Sequence, residues 1–230
     1  MKEVVKELKS LGTEKRAQAA KWFFKTGKGE YGYGDLFFGV SVPDQRKVAK
    51  KYKEISLKEV KQLLYHKVHE CRLTGLLILV NKYKEGKDKE KIVEFYLENL
   101  KQANNWDLVD SSAPYILGDY LLDKDKKVLY ELADSKNLWE KRVSIVATLG
   151  FVNKSELEDA LTLSKILLKD KHDLIHKAVG WVLREVGKKD IKKLEQFLKR
   201  NYDEIPRTTL RYSIERFEET IRKKYLKKEF

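Results

Sequence analysis

One pattern recurs along this sequence: a charged or aromatic cluster followed by a run of apolar residues, at intervals of about 34 to 36 residues. Such spacing is typical of repeats in which two helices form one structural unit. The clusters begin near His69, Asn105, Trp139 and Asp173. The apolar runs that follow them cover residues 73–80, 109–117, 143–149 and 178–186. Shorter amphipathic stretches lie between them, at residues 90–100, 126–133 and 156–168.

A continuous series of helical pairs is therefore the predicted architecture. The chain contains only three prolines, and no strand-like alternation is longer than a few residues, so no sheet is expected. Stacked helical pairs form an α-solenoid in which one set of helices lines a concave face. We predict an all-α fold, an α-solenoid of HEAT-like repeats with a concave basic face, as a single domain over residues 1–230.

Several helix starts carry their own sequence signals. Gly12 and Thr13 supply a break and a cap between two N-terminal helical patterns. Pro43 suits the first turn of a helix, because its missing N–H is not needed there. Ser56 is followed three residues later by Glu59, which completes a capping box. These signals predict four separate helices before the first long apolar run.

Residues 26–35 interrupt the helical pattern with four glycines and two tyrosines. This composition predicts a loop. It is not a phosphate-binding loop of the Walker type, because the required Gly-Lys-Ser/Thr ending and the following helix are absent. The loop either lies against a nucleic-acid backbone or is a plain connector.

The chain is strongly basic, with 49 Lys and Arg against 36 Asp and Glu and a net charge of +13. Excess positive charge attracts polyanions and speeds encounter with them. Double-stranded DNA is the first candidate partner, since a basic concave face suits a duplex, and an anionic membrane surface is the second. Two alternatives remain open: selection for solubility or heat resistance, and a HEAT-like scaffold that binds another protein.

Several other classes of protein are disfavoured. Cys71 lies in an apolar helical pattern, which predicts a buried thiol rather than a nucleophile. His69 begins a zincin-like sequence, but position 73 is leucine where the second histidine would be needed. The longest apolar run, residues 76–80, is too short to span a bilayer, and the N-terminus has no signal-peptide pattern. We expect a cytoplasmic monomer without metal, cofactor or membrane anchor.

The segment Asn105–Asp110 concentrates chemical groups. On a helix, Trp106 and Asp110 are four residues apart and share a face, whereas Asp107 is turned away from it. The tryptophan and the aspartates can also be explained by structure alone. A tryptophan at helical spacing is often part of the core, and an aspartate in the first turn complements the helix dipole. Asp107 is expected to be a cap or a structural hydrogen-bonding residue.

The next two repeats carry similar groups near the starts of their long helices. Arg142 follows Trp139-Glu140-Lys141, and Trp181 and Arg184 lie in Gly180-Trp181-Val182-Leu183-Arg184. If the long helices are parallel neighbours, these side chains can converge with Trp106 and Asp110 on one cleft. Each by itself is as easily explained as core or surface.

Six motifs in order carry a family resemblance over nearly the whole chain. They are Phe38-Gly39-Val40-Ser41-Val42-Pro43, His69-Glu70-Cys71-Arg72, Asn105-Trp106-Asp107-Leu108-Val109-Asp110, Trp139-Glu140-Lys141-Arg142, Gly180-Trp181-Val182-Leu183-Arg184-Glu185 and Pro206-Arg207-Thr208-Thr209-Leu210-Arg211-Tyr212. Together they resemble the AlkD-type DNA alkylation repair family.

The resemblance implies a HEAT-like array that cups duplex DNA containing alkylated bases. It also implies a monofunctional glycosylase that removes cationic N3- or N7-alkylated purines by contacting the backbone and sugar, without enclosing the lesion in a pocket. Matched by motif, the catalytic aspartate is Asp110, the cleft tryptophans are Trp106 and Trp181, and the DNA-binding arginines are Arg142 and Arg184.

Two points stay open on the sequence. The N-terminal region, with its long glycine loop, resembles a different branch of the family from the best-known glycosylases, and spacing does not assign its aromatic contribution to Trp22, Phe23 or Phe24. Some relatives bind DNA with little excision. The alternative function is therefore a non-catalytic HEAT-like module that binds DNA or another protein.

Overall fold

The computed structural model describes residues 1–86 and 88–230 of the chain. These residues contain sixteen α-helices and no strand; a single parallel bridge joins Leu36 to Val68. The predicted all-α fold is confirmed. Within the described part of the chain, none of the helices combines the length and the apolar character that crossing a bilayer requires.

The residues form two compact units, Met1–Ser112 and Ala113–Phe230. The first unit contains α1 (Lys2–Leu11), α2 (Glu14–Phe23), α3 (Val42–Lys51), α4 (Leu57–Leu64), α5 (His69–Lys84), α6 (Lys89–Glu98) and α7 (Trp106–Asp110). The second contains α8 (Ala113–Tyr120), α9 (Lys127–Ala133), α10 (Leu138–Ala147), α11 (Leu149–Asn153), α12 (Glu158–Leu167), α13 (Asp173–Lys189), α14 (Ile191–Asn201), α15 (Arg207–Ser213) and α16 (Glu219–Lys227). Short 3-10 turns cover Leu100–Gln102 and Tyr202–Glu204. Whether 1–230 acts as a single domain stays a prediction.

The predicted helix starts of the first unit are confirmed. The Thr13 side chain accepts a hydrogen bond from the Arg16 amide at the start of α2. Ser56 and Glu59 form the reciprocal capping box of α4, which satisfies amides that the first turn leaves without a helical partner. Pro43 lies in the first turn of α3. Residues 26–35 form turns rather than a helix, as predicted.

Helix α5 is the centre of the first unit. It packs against α3, α4, α6 and α7, and its residues from His69 to Val80 are all buried. Such a helix has no solvent face, which explains why its apolar run is nearly continuous rather than periodic. Cys71 is fully buried, as predicted.

Glu70 connects α5 to the segment before α3. Its carboxylate is buried and accepts hydrogen bonds from the backbone amides of Phe38, Gly39 and Val40, at 3.1, 2.8 and 3.2 Å. Gly39 has a φ of +79°, and a Cβ there would lie 2.2 Å from the Thr13 carbonyl oxygen. Two of the sequence motifs therefore form one structural contact. Gly39 permits the close approach of the two backbones, and Glu70 accepts hydrogen bonds from the amides of this segment.

Helix α13 is the corresponding centre of the second unit. It packs against α10, α11, α12, α14 and α15, through fully buried residues such as Ile175, Val179 and Leu183. Gly180 permits the close approach of α15, because a Cβ at this position would lie 2.5 Å from the Tyr212 Cβ. Paired helices packed in this way have the HEAT-like, solenoid-type arrangement that the repeat spacing predicts.

Two long apolar runs were wrongly expected to be continuous helices. The run from Val109 to Leu117 is divided, since α7 ends at Asp110 and α8 begins at Ala113. Pro114 explains the break, because it has no N–H to donate to the Asp110 carbonyl and its ring would clash with that carbonyl in a continuous helix. The run from Val143 is divided at Thr148, whose hydroxyl donates to the Ile145 carbonyl at 2.6 Å and so competes with the helical bonding pattern.

Candidate functional site

Helix α7 places the predicted pair on one short element. Its Asn105 cap accepts a hydrogen bond from the Trp106 amide at 2.8 Å. Leu108 and Val109 are fully buried, whereas Trp106 and Asp110 are only half-buried. Because residues four apart lie on the same side of a helix, the indole and the carboxylate occupy the same face of α7, and both reach solvent.

An aromatic cluster surrounds Trp106. Its ring stacks on Phe24 with centroids 5.4 Å apart and contacts Phe23 edge to face at 5.6 Å. Phe37 also stacks on Phe24, with centroids 5.4 Å apart. Phe23 is 54% exposed, and Trp22, next to it, is 77% exposed. Of the three N-terminal aromatics left unassigned by sequence, Phe23 and Phe24 are therefore the two that contact Trp106.

Beneath this cluster lies a buried ionic network centred on His69. The His69 Nε2 donates to Asp107 Oδ2 at 2.8 Å, and its Nδ1 donates to Asp35 Oδ2 at 3.1 Å. Arg72 Nη2 donates to the other Asp35 oxygen at 2.6 Å. The His69 ring also lies against Phe24 at 4.6 Å and Phe37 at 5.1 Å. The network joins the end of the glycine-rich loop to α5 and α7.

Two pKa values respond to this arrangement. Burial by itself would lower the pKa of His69, but the charge and hydrogen bond of Asp107, together with the hydrogen bond to Asp35, raise it to about 9. Burial would also raise the pKa of Asp35, and the His69 hydrogen bond and the Arg72 charge outweigh it, so that this pKa is lowered. At neutral pH His69 is an imidazolium that donates from both ring nitrogens.

Asp107 is the structural hydrogen-bonding residue that its position off the Trp106 face predicted. Its side chain accepts from His69, while its second oxygen, Oδ1, is buried without a hydrogen-bond partner. The two aspartates of the Asn105–Asp110 segment thus have different surroundings. Asp107 faces into the unit, and Asp110 faces partly outward.

The second unit carries Trp181 and Arg184 on α13. Both are half-buried. Arg184 is paired with two carboxylates, since its Nε lies 3.3 Å from Glu185 Oε1 and its Nη1 donates to Glu215. Any phosphate that contacts this guanidinium must share it with these acids.

Arg142 differs from Arg184 in its burial. Only 5% of the residue is exposed, and its Nη1 donates to the Leu174 carbonyl at 2.6 Å. This contact ties α10 to the first turn of α13. The predicted role of Arg142 in DNA binding therefore has to coexist with a structural one.

The surroundings of Cys71 disfavour ionisation of its thiol. Burial and the charge of Glu70 raise the pKa of the Cys71 thiol to about 12, so that the thiolate needed for nucleophilic attack is scarce at neutral pH. Within residues 1–86 and 88–230, no group of three or more His, Cys, Asp or Glu side chains is placed to hold a metal ion.

A family model for the DNA alkylation repair enzyme matches residues 4–217 of the chain. The chain belongs to the DNA alkylation repair enzyme family. DNA is therefore its partner, and the repair of alkylated DNA is the context of its function. The resemblance carried by the six sequence motifs is confirmed.

A solved structure described as a predicted DNA alkylation repair enzyme from Enterococcus faecalis has the same fold, with a TM-score of 0.72 at 16% identity. The superposition covers 90% of this chain and 97% of that chain. At this identity the likeness concerns the fold alone. No curated protein matches the sequence.

Sequence reasoning missed the ionic network as a unit. In the sequence, His69 marks the start of a repeat and part of a family motif and is weighed as a metal ligand, and Asp35 is the last residue of a loop. The available signal was the position of His69 and Arg72 in one motif, beside the buried Glu70. Their connection to Asp35 and Asp107 spans 34 and 38 residues, which no local periodicity reveals.

Proposed function

We propose that this DNA alkylation repair protein is a monofunctional glycosylase that hydrolyses the N-glycosidic bond of cationic N3- or N7-alkylated purines in duplex DNA. The observation that carries the proposal is the pairing of Trp106 with Asp110 on the partly exposed face of α7. Family membership supplies the substrate context, and the half-burial of both side chains supports direct contact with DNA.

The chemistry requires little from the protein beyond an anion and a water molecule. An alkylated purine already carries positive charge, so the bond to the sugar breaks with both electrons moving onto the base, which leaves neutral. Positive charge then develops on the deoxyribose, and a nearby carboxylate stabilises the oxocarbenium ion. Asp110 would supply that carboxylate, orient the water that bonds to the anomeric carbon, and take up its proton.

Trp106 and Trp181 would provide aromatic faces for the cationic nucleotide. A cation over an indole is stabilised by about 1–2 kcal/mol once water is removed. Phe23 and Phe24 support the proposed role of Trp106, because they hold its ring between an edge contact and a stacked one. The residue can therefore present a fixed surface rather than a mobile side chain.

Arg142 and Arg184 would contact phosphates, each from the second unit. Phosphate contacts position the duplex and make affinity depend on salt. Arg184 is the more accessible of the two, with 18% of its side chain exposed. A phosphate approaching it would compete with Glu185 and Glu215 for the same donors.

The decisive experiment is release of modified base by the Asp110→Asn variant. Duplex DNA containing 7-methylguanine or 3-methyladenine is incubated with parent and variant, and the free base is quantified by chromatography. We expect excision to fall about 100-fold or more, because the amide cannot stabilise positive charge. DNA affinity should remain within about twofold, since the contacts to phosphate are retained.

Asp123→Asn is the matched control. It makes the same change of charge and shape at an exposed position after α8, and it should excise like the parent. Equal excision by Asp110→Asn and the parent would refute the assignment. DNA binding that weakens steeply with salt, without excision by the parent, would instead support the non-catalytic DNA-binding module.

A further inference from the structure

Helix α7 is too short to be held by its own hydrogen bonds. It has five residues, and isolated helices below about 12 residues are marginal in water. Its orientation therefore has to come from contacts with the rest of the first unit. Leu108 and Val109 supply apolar contact, which is not directional, whereas a hydrogen bond to a side chain of α7 is.

The Asp107 carboxylate is the polar contact that restrains this rotation. Successive residues on a helix are separated by about 100°, so a fixed Asp107 also determines the direction of Trp106 and Asp110. The fixing partner is His69, buried with 2% of its side chain exposed. Because its hydrogen bond to Asp107 is 2.8 Å long, a small rotation of α7 would break the contact.

The second contact of His69 extends this restraint to the glycine-rich loop. Asp35, the last residue of the loop, accepts from His69 and from Arg72. Arg72 also donates to the His66 and Lys67 carbonyls, at 3.1 and 3.3 Å. The charged groups facing His69 are thus Asp35 from the loop, Asp107 from α7 and Arg72 from its own helix. When His69 is protonated, its charge and that of Arg72 balance the two negative charges of Asp35 and Asp107.

We propose that His69, held between Asp35 and Asp107, is a positioning residue that fixes the orientation of α7 and thereby of Trp106 and Asp110. The glycine- and tyrosine-rich loop then has a function: its Asp35 completes the support. The consequence for excision rests on the proposed glycosylase function. The consequence for the mobility of α7 does not.

The test compares His69→Gln and Asp35→Asn with the parent, using Ile78→Val as the control. Ile78 is buried on the same helix, α5, and is not part of the ionic network, so its truncation lowers stability while the hydrogen bonds of His69 are kept. Hydrogen exchange of the α7 amides and of the α13 amides is measured at neutral pH. We expect exchange in α7 to be about tenfold faster in His69→Gln and unchanged in α13, with a smaller increase in Asp35→Asn.

Excision and DNA affinity are measured on the same proteins. Misplacing a reacting group by about 1 Å can cost a hundredfold in rate, so we expect His69→Gln to lower excision about 10- to 100-fold while DNA affinity stays within about twofold. The parent rate should decline as the pH rises through about 9. In Asp35→Asn this decline should shift to lower pH, because one carboxylate that stabilises the imidazolium is lost.

Three outcomes separate the possibilities. If folded His69→Gln has the α7 exchange and excision rate of the parent, the positioning role is wrong. If His69→Gln does not fold, Asp35→Asn decides, and unchanged α7 exchange together with an unshifted pH profile overturns the proposal. If the parent releases no base, the glycosylase function fails, whereas the exchange measurement still decides whether His69 holds α7.

Discussion

Helices α7 and α13 carry four of the five candidate residues, two in each unit, and the two helices are stabilised in opposite ways. Helix α7 has five residues and depends on the hydrogen bonds of His69 with Asp107 and with the half-buried Asp35. Helix α13 has 17 residues and packs through apolar side chains against five neighbouring helices. Long-range polar contacts thus orient one candidate surface, and ordinary core packing orients the other.

The difference matters because the two kinds of support fail differently. A hydrogen bond between buried charged groups is directional, and removing one partner leaves the other unsatisfied. Apolar packing is distributed over many contacts, so the loss or gain of a methyl group has a graded effect. We therefore expect the first unit to respond sharply to charge and pH, and the second to respond gradually to shape.

The largest effect expected from this comparison is a dependence of stability on pH through His69. Its pKa is about 9 in the folded protein and its ordinary value is 6.5. The stabilisation of the folded protein by protonated His69 is fully present below pH 6.5 and is lost as the pH rises through 9. The shift corresponds to roughly 3 kcal/mol.

Urea unfolding at several pH values measures this effect. The free energy of unfolding of the parent, minus that of His69→Gln, should fall as the pH is raised from 6 to about 10. Taking the difference removes the titration of groups that both proteins share. A difference independent of pH would mean that the folded structure does not raise the pKa of His69.

An intermediate effect is expected where α13 approaches α15. In Gly180→Ala, the new Cβ would lie 2.5 Å from the Tyr212 Cβ and 2.8 Å from the Thr209 carbonyl oxygen. Overpacking of this kind costs about 1–3 kcal/mol, against a gain of about 1 kcal/mol in helix propensity. Because both contacts are shorter than 3.0 Å, we expect a cost in the upper half of that range and a net loss of about 1–2 kcal/mol in the free energy of unfolding.

Gly187→Ala on the same helix is the matched control. There the closest atom is a terminal methyl carbon of the Leu194 side chain, at 2.4 Å, which can shift more easily than a backbone carbonyl. Its free energy of unfolding should exceed that of Gly180→Ala by at least about 1 kcal/mol. Equal losses would show that close backbone approach is not what Gly180 provides.

The smallest effect concerns the availability of Arg184. Glu215 is half exposed and paired with this arginine, and such pairs contribute about 0.2–1 kcal/mol. Glu215→Gln removes one of the two carboxylates that are paired with the guanidinium and should raise affinity for duplex DNA about threefold at low salt. Fluorescence anisotropy with labelled duplex measures this change.

Glu156→Gln makes the same change in net charge at an exposed position before α12. It should raise DNA affinity less than Glu215→Gln does. If the two variants bind DNA equally, only the overall charge matters, and Arg184 makes no particular contact with phosphate.

Much of the fold could be predicted from local patterns. The positions at which the four repeat helices start, the capping box at Ser56 and Glu59, and the burial of Cys71 all depend on residues close in sequence, and all are confirmed. The break before α8 was missed, although Pro114 marks it. Proline removes the hydrogen bond to the carbonyl four residues earlier, and a pattern of apolar residues contains no information on that bond.

The sequence by itself determined the helical repeats, the basic charge and the motifs that identify the family, because each depends only on the types of residue and their spacing. It also placed Trp106 and Asp110 on one helical face, and Asp107 off it. Only the tertiary structure decided what supports that face. Asp35, His69 and Asp107 meet across 34 to 38 residues, and a buried hydrogen bond between such distant groups depends on how the intervening helices pack.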